Sequence, residues 1–414
     1  MTNHITAGSP RLLRRLNAAA VLQAIRAGGP ISRAELARTT GLSKPTVNSA
    51  VELLLEAGYL TERLAGVGAD TRRPGPRARL LTFRSDLGHV VGIDIGANKV
   101  LVVIVDLAGE VLASVRRRTG PLERMGADPL VDLVIAVADE AIESTGIDRG
   151  NLRAVGVGTP GVVDPETGRV TLAPQLGGWE GIHLAGRLEP SFPCPVLVDN
   201  EVHLSVLAER WRGSAQEIDD ALYVQIGVGI GGGILVGGGL YRGAGGAAGE
   251  IGYLPLFDDE TGRDGLGPFE HAAGGTAFAR LGRTAAETGE SPLLLELAGG
   301  DAEAIDAELV FTAAARGDTA AQRIVDELLG RLARGIAAAV TILNPSTVIV
   351  GGGVSRAGAR LLEPLAERIA ELVPMPPRVV LSTLGDESAA LGAARLALQD
   401  VEGRLFDVSL SEAV

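Results

Sequence analysis

From Tyr223 to Tyr253 the chain reads YVQIGVGIGGGILVGGGLYRGAGGAAGEIGY, with Val224, Ile226, Val228, Ile230, Ile234, Leu235 and Val236 interleaved with glycines. That pattern predicts strands whose turns bring bare backbone close to a bound group. Glycine runs leave N–H groups free to surround an anion, and the carboxylate of Glu250 is well placed for sugar hydroxyls. A purely structural Gly-rich hairpin uses the same letters, so the remainder of the chain has to decide.

Nearer the N-terminus, Ser32-Arg-Ala-Glu35 reads as a capping box. It predicts a short helix from Arg33 to Thr39 that stops at Gly41, then a second helix capped by Ser43 whose first turn tolerates Pro45. On that second helix Val47, Val51 and Leu54 recur at i, i+4 and i+7 and pack inward. Lys44, Thr46, Asn48 and Ser49 are left to face a DNA major groove, with Arg33 and Ser43 beside them. After Gly58, Tyr59–Arg63 and Ala78–Phe83 read as the strands of a wing, with GVGADTRRPGPR at its tip. Arg72, Arg73 and Arg77 there suit phosphate or minor-groove contact. A small helical domain with a solvated basic face is the plainer alternative.

From Leu87 onward, HVVGIDIGANKVLVVIVDLAGEVLASVRRR predicts three consecutive strands, the first ending in Asp94-Ile-Gly96 before a turn through Ala97, Asn98 and Lys99. A carboxylate and a glycine turn at a strand end can hold a metal-bound phosphate, and an ordinary β-hairpin offers the same residues. A helix around Pro129 to Ser144, a strand Leu152 to Gly158 and the loop Thr159-Pro-Gly161 follow. PVLVDN then runs into a helix Glu201 to Trp211, and a strand end feeding a helix N-terminus favours ligands. Asp199 reads as a helix cap, and His203 and His271 as solvated or core histidines. Beyond Tyr253 the pattern predicts helices near Pro268 to Leu281 and Ala320 to Leu343. A buried strand Thr347 to Val350, the glycines Gly351 to Gly353 and another helix come next. A strand Val379 to Leu381 and a helix Ser388 to Gln399 close the domain. Such alternation argues α/β with two similar halves flanking a cleft.

Length and charge divide this picture. At 414 residues the chain exceeds one ordinary core, and 46% hydrophobic with 21% charged residues excludes wholesale disorder. The expected units are a winged helix-turn-helix over 1–84, a two-lobed effector domain over 85–400 and a tail over 401–414. Residues 1–84 carry 13 Lys+Arg against 5 Asp+Glu, net +8, whereas the rest carries 25 against 46, net −21, so only the arm is expected to meet a polyanion. The single cysteine, Cys194, excludes an internal disulfide and any multi-cysteine zinc site. No stretch offers the ~20 apolar residues of a membrane span and the N-terminus has no apolar leader core, so a cytoplasmic protein is expected.

These residues together resemble the ROK family of sugar-responsive repressors and sugar kinases, from the winged helix to about residue 398. The resemblance implies an actin-like ATPase (ribonuclease H-like) fold. The family's first phosphate motif is similar to Asp94-Ile-Gly96-Ala-Asn98-Lys99 and its sugar-side loop to Gly156–Pro165. Its second phosphate motif is similar to Gly227–Gly233, including Gly227 and Gly229, and its nucleotide-side glycines to Gly351, Gly352 and Gly353. It implies sugar contacts from Asn200, Glu201, Glu250 and Glu270, with Tyr253 in place of the family's histidine. Where the kinases carry Asn-Asp, this chain has Asn200-Glu201. The catalytic base position is thus a glutamate displaced by roughly an ångström, a shift that can cost ~100-fold in rate. The family's phosphate-loop threonines are replaced by Asn98 and Val228. Its zinc-binding cysteines would fall in Thr261–Phe269, where this chain has none.

The expectation is a repressor of carbohydrate uptake or metabolism genes that binds double-stranded DNA as a homodimer or homotetramer. It keeps a pocket for a sugar or sugar phosphate and uses no zinc, ATP or magnesium. Two alternatives stand beside it: an ATP-dependent sugar kinase that also binds DNA, and a DNA-binding module with a vestigial pocket.

Overall fold

The computed structural model describes residues 10–64, 79–120, 125–174, 176–257 and 265–406. The N-terminal unit comprises α1 (Pro10–Gly28), β1 (Ile31–Ser32), α2 (Arg33–Thr40), α3 (Lys44–Glu56), β2 (Leu60–Leu64) and β3 (Arg79–Phe83). Ser32 Oγ accepts from the Glu35 N–H at 3.3 Å and Gly41 turns left-handed at φ 68°, which starts and stops α2. Ser43 Oγ accepts from the Thr46 N–H at 3.3 Å and starts α3. Val47, Val51 and Leu54 are buried, as their spacing predicts. α1 has no counterpart in the sequence reading, yet its Val21, Leu22 and Ile25 complete the core with Leu36 and Leu81. β3 lies between β1 and β2 in an antiparallel sheet. The wing tip, with Arg72, Arg73 and Arg77, lies outside the described residues.

The first lobe of the larger unit comprises β4 (His89–Gly96), β5 (Lys99–Asp106), β6 (Val111–Arg118), α4 (Ala127–Thr145) and β7 (Leu152–Thr159). It continues through β8 (Val162–Val163), β9 (Val170–Leu172), α5 (Leu184–Leu188) and β10 (Val196–Asn200). Its main sheet runs β10-β7-β4-β5-β6, parallel from β10 to β4 and antiparallel from β4 to β6.

The second lobe begins with α6 (Glu201–Arg212), β11 (Ala221–Ile226), β12 (Ile230–Val236) and β13 (Gly239–Leu240). The helices α7 (Pro268–Ala273), α8 (Gly275–Glu287), α9 (Pro292–Leu297), α10 (Ala307–Ala315) and α11 (Thr319–Leu343) follow. Last come β14 (Thr347–Gly351), α12 (Ala359–Leu372), β15 (Arg378–Leu381) and α13 (Ser388–Phe406). Its sheet runs β13-β12-β11-β14-β15. Each lobe therefore lays its first three strands as an antiparallel meander and adds two parallel strands to the meander's first strand. These are the two similar halves expected. β4 and β5 are almost wholly buried because helices cover both faces of their sheet.

The single helix expected over Pro268–Leu281 is two. Gly274 is extended (φ −67°, ψ 173°), and the Gly275 N–H reaches the Gly227 carbonyl at 2.9 Å. This tertiary bond redirects the chain between α7 and α8. α13 also overruns the boundary expected at residue 400: Val401 is buried, and Glu402 accepts from Arg26 at 2.9 Å and Arg395 at 2.7 Å. Arg26 donates to the Leu107 carbonyl too, at 2.7 Å, so α1 is fastened to the larger unit at its last turn.

α13 packs without clearance. A Cβ on Gly156 would lie 1.9 Å from the Ala393 carbonyl oxygen, and one on Gly392 1.8 Å from that of Leu204. Gly156→Ala is therefore expected to destabilise the chain by about 1–3 kcal/mol, the usual range for overpacking. A lowered denaturation midpoint with an unchanged slope is the measured sign. Among the described residues no helix is long and apolar enough to cross a membrane.

Candidate functional site

The site forms where β10 passes into α6. Asn200 caps α6: its Oδ1 accepts from the N–H groups of Val202 (2.8 Å) and His203 (3.1 Å), and its Nδ2 donates to the Gly161 carbonyl (2.8 Å). The cap is thus Asn200 and not Asp199, because the helix starts one residue later than that role requires. Asp199 is committed elsewhere. Its Oδ1 accepts from the Asn200 N–H at 2.8 Å and faces His203 Nδ1 at 3.2 Å, while its Oδ2 takes Arg242 at 2.7 Å. Burial raises the Asp199 carboxyl, but His203 and Arg242 outweigh it and hold the group below its ordinary value.

Glu201 has the opposite environment. Its Oε1 accepts from Gln225 Nε2 at 3.3 Å, and its Oε2 is shielded from solvent without a hydrogen-bond partner among the described residues. Burial first, then the charges of Asp94 and Glu250, push its carboxyl well above the ordinary value against the pull of Lys99. A group so biased holds its proton to higher pH than an ordinary glutamate. Asp94 is buried at the end of β4, raised by that burial, and ion-paired with Lys99 at 3.2 Å.

Glu250 is partly buried, and burial together with the charge of Glu270 raises its carboxyl while His203 lowers it. Tyr253 is 40% exposed, and burial, Glu250 and Glu270 raise its phenol. Glu270 serves the backbone: Oε1 accepts from the Ile230 N–H and Oε2 from the Gly267 N–H, both at 3.1 Å. Gly229 must lack a side chain, since a Cβ there would fall 1.5 Å from Glu270 Oε1.

The glycines assigned to phosphate meet from neighbouring strands. Gly227 closes the β11–β12 turn by donating to the Gly229 carbonyl at 2.9 Å. The carbonyls of Gly227 and Val228 accept from Gly275 and Thr276 at the start of α8. Gly351 pairs with Gln225, and Gly352 (φ 82°) could carry a Cβ only 2.5 Å from the Ile226 carbonyl oxygen. Gly96, Asn98 and Lys99 lie on the β4–β5 turn; Asn98 is exposed, and Lys99 Nζ also donates to the Asp386 carbonyl.

In the N-terminal unit Ser43, Lys44, Asn48 and Ser49 are exposed, with Thr46 partly so, on the outer face of α3. Arg33 is differently placed. It bonds Glu52 at 2.8 Å and Glu62 at 3.0 Å, joining α2 to α3 and β2; burial lowers its guanidinium, but these two carboxylates outweigh it and hold the group above its ordinary value. The sequence reading missed Arg242, Gln225 and the part played by His203. Only the Asp199–His203 spacing of i, i+4 on a helix start offered a signal.

The ROK family description matches residues 90–400, and that of the MarR family matches residues 14–72. The xylose repressor of Caldicellulosiruptor bescii is 28% identical over 402 residues, covering 95% of this chain and 98% of its own. A ROK family glucokinase from Streptomyces griseus, solved with glucose and AMPPNP, is 31% identical with a TM-score of 0.67, covering 75% of this chain and 100% of its own. A ROK family transcriptional regulator, a homologue of the Escherichia coli MLC protein, shares the fold over 95% of this chain and 98% of its own, with a TM-score of 0.76 at 23% identity. With three quarters of its length matched by one family description and both lobes built as that fold, the chain belongs to the ROK family.

Proposed function

We propose that this chain is a sugar-responsive transcriptional repressor that binds double-stranded DNA through α3 and the wing and loosens its hold when a sugar or sugar phosphate enters the site around Glu201 and Glu250. The observation that carries this reading is the outward polar face of α3, with Lys44, Asn48 and Ser49 exposed, in one chain with that carboxylate site. Since one winged helix spans one half-site, the functional species is a homo-oligomer on half-sites about one helical turn, or a multiple, apart. The names of its relatives make D-xylose and D-glucose the first probes. A thermal-shift screen with these and their phosphates tests the sugar half, since a ligand at ~100 times its Kd adds about 2.7 kcal/mol.

The family's structural zinc does not fit the residues present: Thr261–Phe269 supplies no thiolate, and Tyr253 stands as a phenol whose proton burial and three carboxylates hold more tightly. Phosphoryl transfer is disfavoured as well. Glu201 is biased to hold the proton that a base would have to lack, and Asp94 is already neutralised by Lys99. With ATP, magnesium and either sugar, turnover is expected far below the ~1 per second at the low end of kinase rates. Turnover near that value, abolished by Glu201→Gln, would favour the kinase alternative.

A further inference from the structure

His203 is buried on the first turn of α6, and both of its ring nitrogens face acceptors. Nε2 lies 2.8 Å from the carbonyl oxygen of Ala248, which has no proton to give, so Nε2 carries the hydrogen. Nδ1 lies 3.2 Å from Asp199 Oδ1, and that carboxylate already accepts the Asn200 N–H and pairs with Arg242. An ionised Asp199 leaves Nδ1 as a donor too. Both bonds together require the imidazolium form.

Those bonds hold a particular segment. Arg242 follows β13 and Ala248 stands two residues before Glu250, so Asp199 at the end of β10 and His203 on α6 fasten the Arg242–Glu250 loop near both of its ends. Backbone packing reinforces the seat: Gly249 (φ 91°) would place a Cβ 2.1 Å from the Gly232 carbonyl oxygen, and the Gly249 carbonyl accepts from the Gly232 N–H at 2.7 Å. The charged groups facing the ring are Asp199 from β10 and Arg242 and Glu250 from the loop, with Glu201 nearby on α6.

We propose that His203 is a positioning residue for the sugar site: the Asp199–His203–Ala248 relay that seats the loop ending in Glu250 is complete only while the ring is doubly protonated, so that sugar affinity falls as the solution becomes alkaline. This rests on the sugar-binding reading above. Burial lowers the ring's affinity for its proton, but the hydrogen bond and charge of Asp199 outweigh it and leave the group above its ordinary value. The sign follows: the bond to Ala248 or to Asp199 is intact below that raised value and is lost as pH climbs through it. The acid side belongs to Glu250, whose own raised carboxyl takes up a proton as pH falls.

Titration calorimetry of the full chain with D-xylose and D-glucose from about pH 6.5, the ordinary histidine value, to about pH 9 tests this. Affinity is expected to drop several-fold across that range, and binding at the alkaline end is expected to take up protons from the buffer. His203→Gln keeps one amide donor without a titrating ring. It is expected to bind more weakly than the parent at the low end and to lose the pH dependence, with an unchanged circular dichroism spectrum. Glu201→Gln is expected to keep the alkaline fall, which separates the two buried groups. A parent affinity flat with pH, or a His203→Gln profile that still falls, overturns the proposal. No binding of either sugar at any pH overturns the sugar reading itself, and this proposal with it.

Discussion

Replacing Glu250 by alanine is expected to raise the sugar concentration needed to release DNA by roughly ten- to a hundredfold, while DNA affinity without sugar stays at the parent's value. A hydrogen bond to a charged acceptor contributes about 1.5–3 kcal/mol, and each 1.4 kcal/mol is a factor of ten. Glu250 closes the fastened loop, is partly exposed, and lies beside the raised carboxyl of Glu201. Lys44, Asn48 and Ser49, proposed above to face DNA, are in the other unit. Sugar can release DNA only through a difference in its affinity for the bound and released states, so weakening the sugar contact shifts the release midpoint in proportion. Release followed by fluorescence anisotropy at several sugar concentrations measures that midpoint. A midpoint equal to the parent's would place the effector elsewhere.

Glu270→Ala is expected to do something else, although the family resemblance assigns both carboxylates to sugar. Glu270 is buried, and its two oxygens accept the N–H groups of Ile230 and Gly267. Truncation strands two buried donors at about 1–3 kcal/mol each, so the variant should lose about 2–6 kcal/mol of stability. Glu270→Gln keeps one acceptor oxygen and the side-chain volume, so it should lose less. Denaturant unfolding of both variants decides the matter, with equal losses contradicting the bonding scheme. Since Glu270 starts α7 and touches the β11–β12 turn through Ile230, its loss reaches the glycine loop and the sugar side together.

What the sequence made legible follows from where the information is local. α2 and α3 could be read because Ser32, Gly41 and Ser43 act within one turn of themselves. The strands of the two main sheets could be read from apolar runs bounded by turns, whereas β8 and β9 were too short to show. α1 was missed although Ala18, Val21, Leu22 and Ile25 recur at helical spacing, because the residues that cover that face, Leu36 and Leu81 among them, belong to other elements. The break at Gly274 was not visible because its cause, the Gly227 carbonyl, lies 47 residues away in sequence. The candidate site divides the same way. Asn200, Glu201 and Glu250 were nameable from the family's motifs, but motifs do not say which oxygen is already occupied. Arg33, grouped in the sequence with the DNA contacts, lies between Glu52 and Glu62. Arg242 carried no local signal at all, since its partner Asp199 stands on another strand.

The most direct test of the central claim is one titration. Duplexes selected from a random pool by the full chain are bound at low salt, and D-xylose and D-glucose are then added separately while anisotropy is followed. Binding is expected to weaken as salt rises, to be lost in a chain lacking residues 1–84, and to be reversed by at least one sugar or its phosphate. Binding that survives the deletion, or that no sugar alters while the same sugar is phosphorylated with ATP, would contradict it.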